Sequence, residues 1–175
     1  MAIQTGRELA GLAVVSLTGG DRLGRVDDVI FDTAKAVIVG ILVDRGGMFS
    51  KPKFLDATHV RAVGSDALTI DSEAALTEYD PAATGPSAQP AKPLDGRPVL
   101  TEAGSIVGKI ADVGVDTNTL QVPYFVLSTG LLDNTLHGKP HLPMTAVQAI
   151  GADSVIVSNS YDPKAPEASS TDAPA

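Results

Sequence analysis

The sequence predicts an all-β chain of two small barrels in tandem, and three observations carry that prediction. The chain repeats itself along its length. Its aliphatic residues gather in short valine- and isoleucine-rich runs broken by aspartate and glycine turns, the pattern of strands rather than helices. A stretch rich in proline and alanine separates the two copies.

The repeat is the strongest of the three. At an offset of 84, Val15, Leu17 and Gly20 fall on Val99, Thr101 and Gly104, and Gly24-Arg25-Val26 falls on Gly108-Lys109-Ile110. Asp28-Val29 then falls on Asp112-Val113, Asp32-Thr33 on Asp116-Thr117, and Gly46 on Gly130. A three-residue insertion moves the offset to 87, where Val60-Arg61-Ala62-Val63-Gly64-Ser65-Asp66 matches Val147-Gln148-Ala149-Ile150-Gly151-Ala152-Asp153. Ordered agreement of glycines, aliphatics and acids over about 60 positions identifies two copies of one unit. The resulting organisation is a first barrel over residues 1–78, a linker over 79–94, a second barrel over 95–160 and a tail over 161–175.

In the first unit, 23–31 and 36–43 read as strands around Asp32-Thr33-Ala34-Lys35, a hairpin turn because aspartate bonds its own downstream backbone. Residues 59–63 and 67–70 form a second hairpin around Gly64-Ser65-Asp66, and Ser72 caps a helical turn within 72–78. The second unit repeats both hairpins, with 106–115 and 120–127 around Asp116-Thr117-Asn118-Thr119, and 147–150 and 154–157 around Gly151-Ala152-Asp153. Short strands with open edges invite pairing with other chains, so each unit is expected to close into a barrel with a sealed aliphatic interior. A unit of about 65–80 residues buries only about 60% of its unfolded surface, so contact between the barrels, or with a partner, is needed to relieve marginal stability.

Between the units, Pro81, Pro86, Pro90 and Pro93 stand among alanines with almost nothing to bury, which predicts a semi-extended linker. The tail carries Asp162, Glu167 and Asp172 with Pro163, Pro166 and Pro174, and is expected to be extended or disordered.

Composition removes several function classes. The 175 residues include no cysteine, which excludes a thiolate nucleophile, a disulfide framework and a cysteine metal site. Thirteen basic against 21 acidic residues give a net charge of -8, which makes nucleic acid an unfavourable partner. Gly19-Gly20 and Gly46-Gly47 lack the residues of a phosphate-binding loop, and no Gly-x-Ser-x-Gly elbow is present. His137 and His141 have helical metal-ligand spacing, but Gly138 and Pro140 between them break a helix, so they read as loop histidines. No enzymatic activity, cofactor or metal is expected. The aliphatic runs fall short of the roughly 20 residues a membrane helix needs, so a cytoplasmic address is expected, with membrane contact only peripheral or through a partner.

Two groups of residues are candidates for function. Asp27, Asp28 and Asp32 form an acidic cluster that either collects protons or serves turns and strand ends; the recurrence of Asp28 and Asp32 as Asp112 and Asp116 supports the second reading. The segment 45–54 is the candidate docking loop, with Met48 and Phe49 between turn residues and Lys51 and Lys53 close by. Exposed, it suits a protein surface with an acidic rim or a site near anionic lipid headgroups; folded back, Phe49 and Phe54 plug the barrel end. Leu131, Leu132 and Leu136 make the corresponding loop of the second unit more apolar.

The run Leu23-Gly24-Arg25-Val26-Asp27-Asp28-Val29-Ile30-Phe31-Asp32, with Val39-Gly40-Ile41-Leu42-Val43-Asp44, Gly46-Gly47 and Val60-Arg61-Ala62-Val63-Gly64, resembles the PRC-barrel family. Val107-Gly108-Lys109-Ile110-Ala111-Asp112-Val113, His141-Leu142-Pro143 and Val147-Gln148-Ala149-Ile150 resemble it in a more divergent form, with Gly114 in place of Ile30 and Ser128 in place of Asp44. That family includes the cytoplasmic domain of the photosynthetic reaction centre H subunit and the C-terminal domain of ribosome maturation factor RimM. The resemblance implies a non-enzymatic barrel that docks on protein partners, foremost the subunits of a membrane complex of the reaction-centre kind, where it supports the acceptor side and proton uptake. The alternative it implies is a ribosome-assembly factor that binds a ribosomal protein. The chain is expected to depart from the first in having no N-terminal membrane helix and from the second in having no separate N-terminal domain, since both halves resemble PRC barrels.

Overall fold

The computed structural model describes residues 2–130 and 138–165. The first half holds β1 (Ile3–Thr5), helix α1 (Gly6–Leu9), β2 (Ala13–Ser16), β3 (Arg22–Asp32), β4 (Val37–Asp44), β5 (Lys53–Asp56), β6 (Val60–Val63), β7 (Ala67–Ile70) and β8 (Leu76–Glu78). The second holds β9 (Ala88–Pro90), β10 (Pro98–Thr101), β11 (Ile106–Asp116), β12 (Tyr124–Ser128), β13 (His141–Pro143), β14 (Val147–Ile150) and β15 (Val155–Val157). The chain is all-β in two sheets, as the repeat requires, and both aspartate hairpins lie where the sequence puts them.

One sheet runs β6-β7-β2-β3-β4-β5-β8 and the other β13-β12-β11-β10-β15-β14. The long strands β3 and β11 are the axes. Along one edge of β3, β2 pairs over Arg22 to Arg25 and β9 pairs over Ile30 to Asp32. Along the equivalent edge of β11, β10 pairs near Ile106 and β1 pairs over Gly114 to Asp116. The two units therefore exchange strands: the first residues of the chain complete the second sheet, and the residues just before the second unit complete the first.

Three expectations are revised by this exchange. The segment 79–94 is not a linker with nothing to bury: β9 joins the first sheet, a 3-10 turn over Lys92–Leu94 follows, and Leu94 is fully buried. The interiors are not two sealed compartments, because buried residues from both units form one contiguous core, with Phe31 meeting Phe125 edge to face at 5.8 Å. Nor, among the described residues, does a ladder close either sheet into a full barrel. The outermost strands are instead three or four residues long, and Arg61 and Glu78 sit on two of them, which blunts an edge without closing it.

The units meet about a local pseudo-twofold axis. Val37 bridges Gln121, and the amides of Ile38 and Val122 donate to the carbonyls of Leu120 and Ala36. Ala36 and Leu120, equivalent in the repeat, both have left-handed backbones, with φ of 53° and 59°. The helical turn expected within 72–78 is a single 3-10 turn over Glu73–Ala75, and the Ser72 side chain does not cap it. Helix α1 has no counterpart in the expectations; Thr5 and Glu8 form a reciprocal capping box that holds its one turn.

Candidate functional site

The paired aspartates sit where the exchanged arms cross. Asp28 is 8% exposed and Asp32 6% exposed. The Asp28 carboxylate accepts from the Val29 amide at 2.8 Å and from the Lys92 amide of the incoming arm at 3.0 Å. Its counterpart Asp112 accepts from the Val113 amide at 2.8 Å and from the Arg7 amide of the opposite arm at 3.3 Å. One carboxylate oxygen thus serves its own strand and the other holds the arm contributed by the other unit.

Asp32 works similarly one turn further on. Its Oδ1 accepts from the amides of Ala34 and Lys35 at 2.9 and 3.0 Å and from the Ser87 hydroxyl at 2.9 Å. Asp116 accepts from the amides of Asn118 and Thr119. Thr33 and Thr117 donate through amide and hydroxyl to the carbonyls of Ser87 and Ala2 respectively, tying each arm's start to the opposite hairpin. Asp27 is half-buried and pairs with the Lys92 ammonium at 3.0 Å.

Environment separates the two buried carboxyls. Burial pushes Asp28 above the usual aspartate range, against the opposing pull of the Lys92 and Val29 amides. Burial acts on Asp32 in the same sense, but the combined donors from Lys35, Ser87 and Ala34 outweigh it and hold that carboxyl below the usual range.

The candidate docking loop projects from the far end of the first sheet, away from the junction. Asp44 ends β4, and its carboxylate accepts from the Gly46 amide at 2.8 Å. Gly46 and Gly47 have φ of 82° and 104°, a pair of left-handed conformations that only glycine adopts without strain. The Ser50 hydroxyl donates to the Gly46 carbonyl at 2.7 Å and closes the turn. Between these fixed points Met48 is 88% exposed and Phe49 96% exposed, so Phe49 does not fold back onto the barrel. Phe54 does not plug the interior either: it is half-buried on the face of β5 opposite the buried Leu55, and its ring stacks with Tyr79 at 5.9 Å. Lys51 is exposed, and Lys53 is ion-paired with Glu78.

Beside this loop lies an open concavity of about 410 Å³, lined by Arg22, Arg25, Asp44 and Arg45 among others. The Arg45 guanidinium donates to the Leu23 carbonyl at 3.1 Å and pairs with Glu73 at 2.6 Å, while Arg25 donates to the Gly11 carbonyl at 3.0 Å. Sequence reading missed this arginine group. The signal was present in the hairpin register, because a turn at Asp32 places Arg25 opposite Asp44. Leu131, Leu132, Leu136 and His137 lie outside the described residues. His141 stacks on Tyr124 with ring centroids 4.0 Å apart. No group of His, Asp or Glu suited to a metal is found among the described residues.

Comparison with known families decides the lineage. The PRC-barrel domain matches twice, over residues 3–76 and 90–162. The chain belongs to the PRC-barrel family. No curated protein matches it. The two PRC-barrel matches follow the linear repeat, whereas in space each sheet borrows a strand from the arm that opens the other match. PRC-barrel domains are commonly protein-interaction modules, which is the class of function this membership supports. Among the described residues no helix is long and apolar enough to cross a membrane.

Proposed function

We propose that this PRC-barrel chain is a non-enzymatic interaction subunit seated on the cytoplasmic face of a membrane protein complex of the reaction-centre kind. It takes the place there of the H subunit's cytoplasmic domain and supports the acceptor side. The observation that carries the reading is the Met48–Phe49 pair, two large apolar side chains held in solvent by a turn that Asp44, Gly46, Gly47 and Ser50 fix. Two adjacent large apolar side chains held in solvent form an exposed patch of the kind that marks an interaction site. Asp28 and Asp32 enter this reading as backbone pins; Asp27, half-buried against Lys92, is the member of the acidic cluster nearest solvent.

The test is cross-linking mass spectrometry on the full chain in native membranes. Cross-links from Lys51 to a membrane-complex subunit are the expected result. Recovery only as a free soluble species, or on pre-ribosomal particles, overturns the proposal.

A further inference from the structure

The docking loop shares its end of the sheet with a set of cations. Arg22 and Arg25 on β3, Arg45 after β4, Lys51 in the loop and Lys53 on β5 all belong to this end. The carboxylates there are Asp21, Asp44, Asp71, Glu73 and Glu78, and Asp71, whose carbonyl accepts from the Thr18 amide, pairs with a sixth cation, Arg61. Glu73 and Glu78 are taken up by Arg45 and Lys53, and Asp44 caps Gly46. Arg22, Arg25 and Lys51 have no carboxylate within ion-pair distance among the described residues. In a chain of net charge -8, this end carries more cations than carboxylates.

The acids of the second unit do not cancel that local field. Those among the described residues lie beyond the hairpin junction, and β3 from Arg25 to Asp32 alone spans roughly 23 Å at the rise of an extended strand. The screening length at physiological salt is about 8 Å.

The same end of the sheet carries an apolar tip. Met48 and Phe49 stand exposed in the loop between Arg45 and Lys51, and Leu17, 59% exposed, adds a third apolar side chain from the turn that joins β2 to β3. A single acidic residue on a protein partner would neutralise one of these cations. A continuous layer of anionic headgroups meets all of them at once while admitting the apolar tip beneath it.

Resting on the reading of this loop as the docking feature, we infer that the first unit's loop end binds an anionic phospholipid surface, with Met48 and Phe49 embedded and Arg22, Arg25 and Lys51 on the headgroups. The contact orients the chain with its second unit away from the bilayer.

The chain has no tryptophan, so F49W places a single reporter indole at the tip. The full-length variant is titrated with vesicles of phosphatidylcholine alone, and of phosphatidylcholine with phosphatidylglycerol in roughly equal parts. A blue-shifted emission with the anionic vesicles alone is expected, and adding Arg22→Glu with Lys51→Glu weakens partitioning by about tenfold or more, since each basic residue near such a surface matters. All three positions are exposed, so the fold is retained. An indole that stays water-like with anionic vesicles, or shifts equally with both kinds, overturns the inference. A shift with native membranes but not with anionic vesicles overturns the lipid contact while leaving the protein-docking reading intact; no shift with either removes both.

Discussion

Replacing Phe31 with alanine reaches across the whole molecule if the two units share one core. Phe31 and Phe125 are both fully buried and meet edge to face, at an interplanar angle of 81°. Truncating a buried phenylalanine costs about 3–5 kcal/mol through lost transfer energy and the cavity left behind. That is a large part of the about 5–15 kcal/mol holding a domain folded. In two independent barrels the loss would stay in the first. With exchanged strands and a common core, both sheets should lose it together. Native-state hydrogen exchange read by mass spectrometry distinguishes the cases: amides of β14 and β15, far from Phe31 in sequence, should lose protection by the same amount as those of β3 and β4. The milder Phe31→Leu serves if alanine leaves too little folded protein. A double-mutant cycle with Phe125→Leu should return a coupling of about 0.5–1.5 kcal/mol for the ring contact. Unchanged protection in β14 and β15 would refute the single-core reasoning.

Deleting residues 2–9 should expose the β11 edge of the second unit and lower its exchange protection before that of β2 and β7, because β1 pairs with β11 and not with its own unit. Asp32→Asn keeps the Oδ1 acceptor for Ala34, Lys35 and Ser87 but removes the charge those donors favour. Because the folded-state pKa of Asp32 is lowered, its contribution is present above the unfolded value of about 3.9 and lost as pH falls through the folded value. Urea titrations should therefore show a stability deficit for this variant at neutral pH that closes in acid. Asp28, shifted upward, has the opposite sign: its contribution is complete below about 3.9 and fades as pH rises to the raised folded value. Gly40→Ala should cost about 1–3 kcal/mol in denaturant unfolding, since a Cβ there would approach Phe54 Cζ to 2.6 Å and force the ring off Tyr79.

Much of this fold is legible in the sequence, and the residues explain where legibility stops. The hairpins at Asp32 and Asp116 can be read because the signal is local, a carboxylate two or three residues from the amides it binds. The exchange cannot. Ile3-Gln4-Thr5 and Ala88-Gln89-Pro90 occupy equivalent places, yet neither is long enough to show alternation, and a three-residue strand says nothing about which of two similar edges it joins. The same limit hid Leu94, whose burial depends on an arm laid across a distant strand. At the candidate site, Met48 and Phe49 stood out as apolar residues among turn formers. The arginine concavity beside them exists only once β3 and β4 are in register.

The strand exchange also governs how this chain comes off the ribosome. Its first residues are made early but find their place only when Thr117, 115 positions later than Ala2, has emerged. The first sheet, for its part, waits on the arm near Pro90. In nascent chains the first sheet therefore stays incomplete until residues 88–90 follow it, and residues 3–5 wait without their β11 partner until residues 114–116 have been made.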